Sequence, residues 1–135
     1  MAYDATDFTV DPTQLTTPRE RLVYLRDFLL RLPAERFNMD FMGCPLDADR
    51  GECGSPACIG GWARAIFRYR SLNINDAGRE LLGLGDSVHP LFWPTERKMA
   101  DGTLAYNASP ADAAAVLTHL LNTGEVDWSV ARAAP

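Results

Sequence analysis

The stretch that decides the fold is Ser55-Pro56-Ala57-Cys58-Ile59-Gly60-Gly61-Trp62-Ala63-Arg64-Ala65-Ile66-Phe67-Arg68-Tyr69. A hydroxyl residue followed by proline is a helix-start signal, because Ser accepts from the first free N–H groups and Pro needs no hydrogen bond at the first helical position. Cys58, Trp62, Ile66 and Tyr69 then recur at helical intervals. On a helical wheel they share one face with Ile59 and Ala65, while Arg64 and Arg68 fall opposite. The spacing predicts a central buried helix over 56–70. Gly60-Gly61 weakens it by about 1 kcal/mol per Gly relative to Ala, which makes sense where another backbone packs closely.

Working outward, the same start signal returns twice. Thr17-Pro18-Arg19-Glu20 combines a cap hydroxyl, an N1 proline and a capping-box Glu. Leu22, Leu25, Leu29 and Leu32 follow at helical spacing until Pro33. Ser109-Pro110-Ala111-Asp112 opens a helix that buries Ala113, Val116, Leu117, Leu120 and Leu121 and stops at Gly124. Shorter pieces lie between. Ala34 to Met42 reads as a helical turn carrying Phe37, Phe41 and Met42 inward. Asn75-Asp76 opens a short helix through Leu82, with Gly83 as its C-cap. Residues 86–94 read as one turn packing Leu91 and Phe92, and Asp127 caps a last turn. Residues 95–108 lack a clear period and are read as a loop or a small hairpin around Asp101-Gly102. Residues 43–55, rich in Gly, Pro and Asp, form a loop long enough to be pinned or functional. The expectation is an all-α fold, a single domain over 1–135 with five to seven helices and an acidic N-terminal arm over 1–16.

Composition excludes several classes. The 135 residues carry 13 Lys+Arg against 18 Asp+Glu, a net charge of -5, which disfavours nucleic-acid and anionic-membrane binding. No apolar run approaches the roughly 18 residues of a membrane span. The opening MAYDATDF lacks the basic and apolar regions of a secretory signal. With an odd count of three cysteines, this predicts free thiols in a reducing, cytoplasmic setting. Asp4, Asp7 and Asp11 make the first 16 residues acidic, whereas Arg64, Arg68 and Arg70 make 56–70 the basic segment. Those arginines are read as a solvated helix face, with a local anion site as the rival reading.

The string Cys53-Gly54-Ser55-Pro56-Ala57-Cys58-Ile59-Gly60-Gly61-Trp62-Ala63 resembles a pattern of small uncharacterised phage and bacterial mobile-element proteins, roughly C-G-[ST]-x-x-C-x-x-G-[WH]-A. Phe37-Asn38-Met39, Leu84-Gly85 with Leu91-Phe92-Trp93-Pro94, and Ser109-Pro110-Ala111-Asp112-Ala113-Ala114 are similar to the same group and keep its order across residues 37–117. Ser55 in the usual Thr slot and the doubled glycine are departures. The resemblance implies a setting, a phage or mobile-element accessory gene, and no activity.

Four chemistries are open to these residues. Cys44, Cys53, Cys58 and His89 suit a Cys3His zinc site, which would tie the long loop to the central helix. Their spacing lacks a CxxC pair, and Cys58 sits on an apolar face, so buried structural thiols are the preferred reading over zinc or a Cys53–Cys58 disulfide. A thiol nucleophile at Cys53 would need His89 or His119 held against it as base. Asp47-Ala48-Asp49-Arg50-Gly51-Glu52 begins like a calcium loop, but Cys58 stands where the closing Glu belongs. Lastly, Asp47, Asp49, Glu52, Trp93 and Trp128 are candidates for a partner-binding surface, since aromatics beside charge are favoured anchors. The resulting expectation is a non-enzymatic protein-binding module without a cofactor. One concrete form is an anti-defence inhibitor that engages a basic surface of a host protein. A small zinc-stabilised structural domain is the alternative.

Overall fold

The computed structural model describes residues 11–39, 58–68, 74–84 and 89–133. Among them lie four α-helices: α1 (Pro18–Arg31), α2 (Ile59–Ile66), α3 (Ile74–Leu82) and α4 (Pro110–Thr123). Four 3-10 turns accompany them at Pro12–Gln14, Ala34–Arg36, Ala105–Asn107 and Trp128–Val130. The protein is helical; the described residues hold four α-helices, which does not match the five to seven expected. Several anticipated short helices are single 3-10 turns, whose tighter pitch suits runs of three or four residues.

Both long helices begin with a closed capping box. Thr17 Oγ1 accepts from Glu20 N–H at 3.2 Å while the Glu20 carboxylate accepts from Thr17 N–H at 3.2 Å. Ser109 and Asp112 repeat the arrangement at 3.1 and 2.9 Å. Each box satisfies donors that a helix start leaves without a partner. α1 buries Leu22, Tyr24, Leu25, Phe28 and Leu29, and α4 buries Ala113, Ala114, Val116, Leu117 and Leu120. These two stripes pack on each other as the main helix pair of the core.

Two arginines of the first turns of α1 fix its direction. Arg19 Nη1 donates to Leu121 O at 3.1 Å, and Arg21 donates to Leu81 O at 3.0 Å and Leu15 O at 3.1 Å. They satisfy carbonyls that the last turns of α4 and α3 leave free, at the negative ends of those helices. The start of α1 therefore meets the ends of α3 and α4, and α1 runs antiparallel to α4. Gly83, at φ +68, closes α3 against Pro18, which a Cβ would meet at 3.1 Å.

α2 is shorter than the helix expected over 56–70. Its N-cap is Cys58, and it ends at Phe67 before Arg68 at φ +54. The proposed Ser55-Pro56 start and Tyr69 lie outside the described residues. Trp62 fills the centre as expected. It is 5% exposed, packs its ring at 5.3 Å from Phe28, and donates Nε1–H to Arg36 O at 2.9 Å. Arg36 lies over the same ring at 5.2 Å, a cation–π contact.

The C-terminal third closes the core with turns. His89 O accepts from Phe92 N–H and Trp93 N–H, forming one helical turn that buries Leu91 and Phe92. A tight turn at Asp101-Gly102, with Gly102 at φ +87, brings Lys98 and Leu104 into an isolated antiparallel bridge. Arg132 ties this turn to α4, donating to Asp101 at 3.1 Å and to Asp112 at 3.0 Å. That clamp holds Arg132 at φ +62, a conformation unusual for a residue with a side chain.

Candidate functional site

Two places combine charge with shape. The first is a cleft of about 380 Å³ along the outer side of α1. Leu15, Val23 and Tyr24 line it with apolar surface, and Arg19, Glu20 and Asp27 bring charge to it. Helical spacing sets the pattern, since positions 20, 23, 24 and 27 fall on one face. The capping hydrogen bond from Thr17 holds the Glu20 carboxyl below the usual carboxylate range, so it stays ionised. Burial, with a smaller push from Asp11, raises the Tyr24 phenol, so the tyrosine stays neutral.

The second is the N-terminal end of α2. Cys58 is 2% exposed, and its Sγ accepts from Gly61 N–H at 3.4 Å. Burial pushes the thiol up, and the nearby N–H groups and Arg64 offset this only in part. The resting group is a neutral thiol, whereas a reactive cysteine has its pKa lowered. Arg64 corrects a sequence expectation: it is 5% exposed and not part of a solvated face. Its Nε is buried with no hydrogen-bond partner among the described residues. Arg68 is exposed as expected.

Cys44, Cys53, Asp47, Asp49 and Glu52 lie outside the described residues. Of the zinc set, only Cys58 and His89 are placed. Among the described residues no three His, Cys, Asp or Glu side chains gather to hold a metal ion. His89 is half-buried, and its Nδ1 accepts from Leu91 N–H at 3.2 Å. Burial, reinforced by Arg97, lowers its pKa and keeps the ring neutral. Trp128 is 1% exposed and donates Nε1–H to Pro90 O at 2.8 Å. It closes the core and is not a surface anchor, because its N–H finds its partner inside. Trp93 is half-buried.

Sequence reasoning missed the α1 cleft. Glu20 was legible there as a cap, but the cleft depends on how Leu15 returns beside Val23 and Tyr24. The burial of Arg64 had one signal: Gly60 and Gly61 stand four and three residues before it, where a long helical side chain lies. No known protein family, curated protein or solved structure matches this chain.

Proposed function

We propose that this chain is a non-enzymatic protein-binding module that engages a basic surface of a partner protein. The observation that carries the reading is the α1 cleft, where an apolar lining lies beside the Glu20 and Asp27 carboxylates. A chain of net charge -5 attracts a basic partner at long range. An apolar side chain seated on Leu15 and Val23, with a neighbouring Lys or Arg facing Asp27 in competition with its 3.0 Å pair to Arg26, matches both features. The neutral, buried Cys58 supports the structural reading of that one thiol. The sequence resemblance adds a setting, in which a phage or mobile-element product occupies a basic, nucleic-acid-binding surface of a host defence protein.

The test is affinity capture from bacterial lysate, run in parallel with wild type, Asp27→Lys and Val23→Glu. A basic partner should be retained at low salt, released at high salt, and lost with either variant. Asp27→Lys should weaken the isolated complex about tenfold, equivalent to ~1.4 kcal/mol. A partner that binds both variants as well as wild type, or that ignores salt, would refute the reading.

A further inference from the structure

The outer face of α1 carries an apolar knob as well as an apolar hollow. Leu30 is 61% exposed, the most exposed large hydrophobic among the described residues. It stands seven residues after Val23, so it lies on the same side of the helix, two turns or about 10 Å further along. The opposite side of α1, with Leu22, Leu25 and Leu29, is spent on the core. A lone exposed Leu is ordinary. An exposed Leu in line with a cleft that Leu15, Val23 and Tyr24 line is self-complementary. Turned end for end, a second α1 presents its Leu30 to this cleft and receives the first copy's Leu30 in return. Such an exchange, residue i on j and j on i, is the rule of a two-fold interface.

Charge selects the direction and the register. Glu20 and Arg31 are both exposed, and they stand eleven residues apart, three turns of helix, so they share one flank of this face. With Leu30 of the second copy seated at the level of residues 20–23, an antiparallel helix sets its Arg31 opposite Glu20, on the same flank. The bonds that Glu20 accepts from Thr16 and Thr17 all fall on Oε1. Its Oε2 is therefore without a hydrogen bond among the described residues and open to a guanidinium. Arg19, the one cation among the lining residues, is turned to Leu121 O. Near the two-fold centre each copy brings Arg26 and Asp27, which neutralise each other at 3.0 Å. A parallel pair would instead stack Glu20 on Glu20 and Leu30 on Leu30, and would leave both clefts unfilled.

We infer that the outer face of α1 is a self-association surface, on which two copies of this chain pair antiparallel about a two-fold axis near residues 25 and 26. Leu30 of each copy fills the cleft of the other, and Arg31 of each faces Glu20. A pair of 14-residue helices, each about 21 Å long, is a small interface, so the dimer is transient, with a Kd above about 1 μM. The inference does not rest on the partner-binding reading. It places a second copy in competition with a basic partner for the same cleft.

The experiment is sedimentation velocity of the full chain at near-physiological salt, from about 1 μM to 1 mM, for wild type and Leu30→Glu. Leu30 is largely exposed, so this substitution leaves the core intact. Wild type should move from monomer toward twice the mass of one chain as concentration rises, and Leu30→Glu should dimerise about tenfold more weakly or not at all. The register is read by oxidising a Val23→Cys/Leu30→Cys double variant and a Leu30→Cys single variant, with the linked peptides identified by mass spectrometry. The double variant should join position 23 of one chain to position 30 of the other, and the single variant should give no link between the two positions 30. Wild type that stays monomeric throughout overturns the proposal and leaves the face to a foreign partner. A dimer that Leu30→Glu keeps, or a link between the two positions 30, overturns it as well. Leu30→Glu retains every cleft residue, so capture of a basic partner by this variant tests the other reading separately.

Discussion

Replacing Gly78 with alanine sets two physical effects against each other, and the structure says which wins. Gly78 lies within α3, where Ala is ordinarily the better residue by about 1 kcal/mol. An added Cβ, however, would stand 2.6 Å from Phe92 Cε2 and 3.3 Å from its Cζ. Comfortable carbon contacts lie near ~3.5–4.0 Å, so the nearest ring atom must retreat by about 1 Å. Phe92 is 1% exposed and has no solvent side to move into. Overpacking of that kind costs about 1–3 kcal/mol. Set against the gain in helix propensity, Gly78→Ala should be net destabilising by ~0–2 kcal/mol. Urea unfolding at constant m-value measures this as a lowered midpoint. Phe92→Leu in the same chain should recover part of the loss, giving a coupling of about 1 kcal/mol in the double-mutant cycle. A midpoint above wild type for Gly78→Ala, or a cycle that is additive, would refute the close approach of α3 to the turn at Phe92.

Two further outcomes follow from hydrogen bonds that join distant parts of the chain. Asp112 is 8% exposed and serves both the Ser109 cap and the Arg132 clamp; Asp112→Ala should therefore cost about 2–4 kcal/mol, a lost cap plus unpaired charged hydrogen bonds. Arg132→Ala should cost less by the same urea measurement, since it leaves the Ser109–Asp112 capping box intact. The His89 imidazole has its folded pKa lowered from 6.5, chiefly by burial. The fold prefers the neutral ring, so its contribution is complete above pH 6.5 and is lost as pH falls through the lowered folded value. Chemical unfolding from neutral pH down to the carboxylate range should show this decline, and His89→Gln should flatten it.

How much was legible in the sequence is best seen element by element. Thr17 with Glu20, and Ser109 with Asp112, were readable because a capping box joins residues three apart. The same holds for Gly124 at φ +81, the Asp101-Gly102 turn and the buried Trp62. Each depends on local backbone chemistry or on the apolar face of a single helix. The site residues were less legible. A helical wheel placed Arg64 opposite Trp62 and so toward water, but a wheel says nothing of what packs on its second face.

Trp128 shows the same limit: beside an acidic tail it reads as an exposed aromatic, yet its N–H is satisfied by Pro90, far back along the chain. The α1 cleft likewise arises only when Leu15 folds back beside Val23 and Tyr24. By itself, the order of residues determined where α1 and α4 start and stop, and which stripe of each is apolar, because those are interactions over three or four residues. Tertiary structure alone decided which charges are buried, which aromatics are enclosed and where the surface opens, because these depend on segments that meet only after the chain has folded.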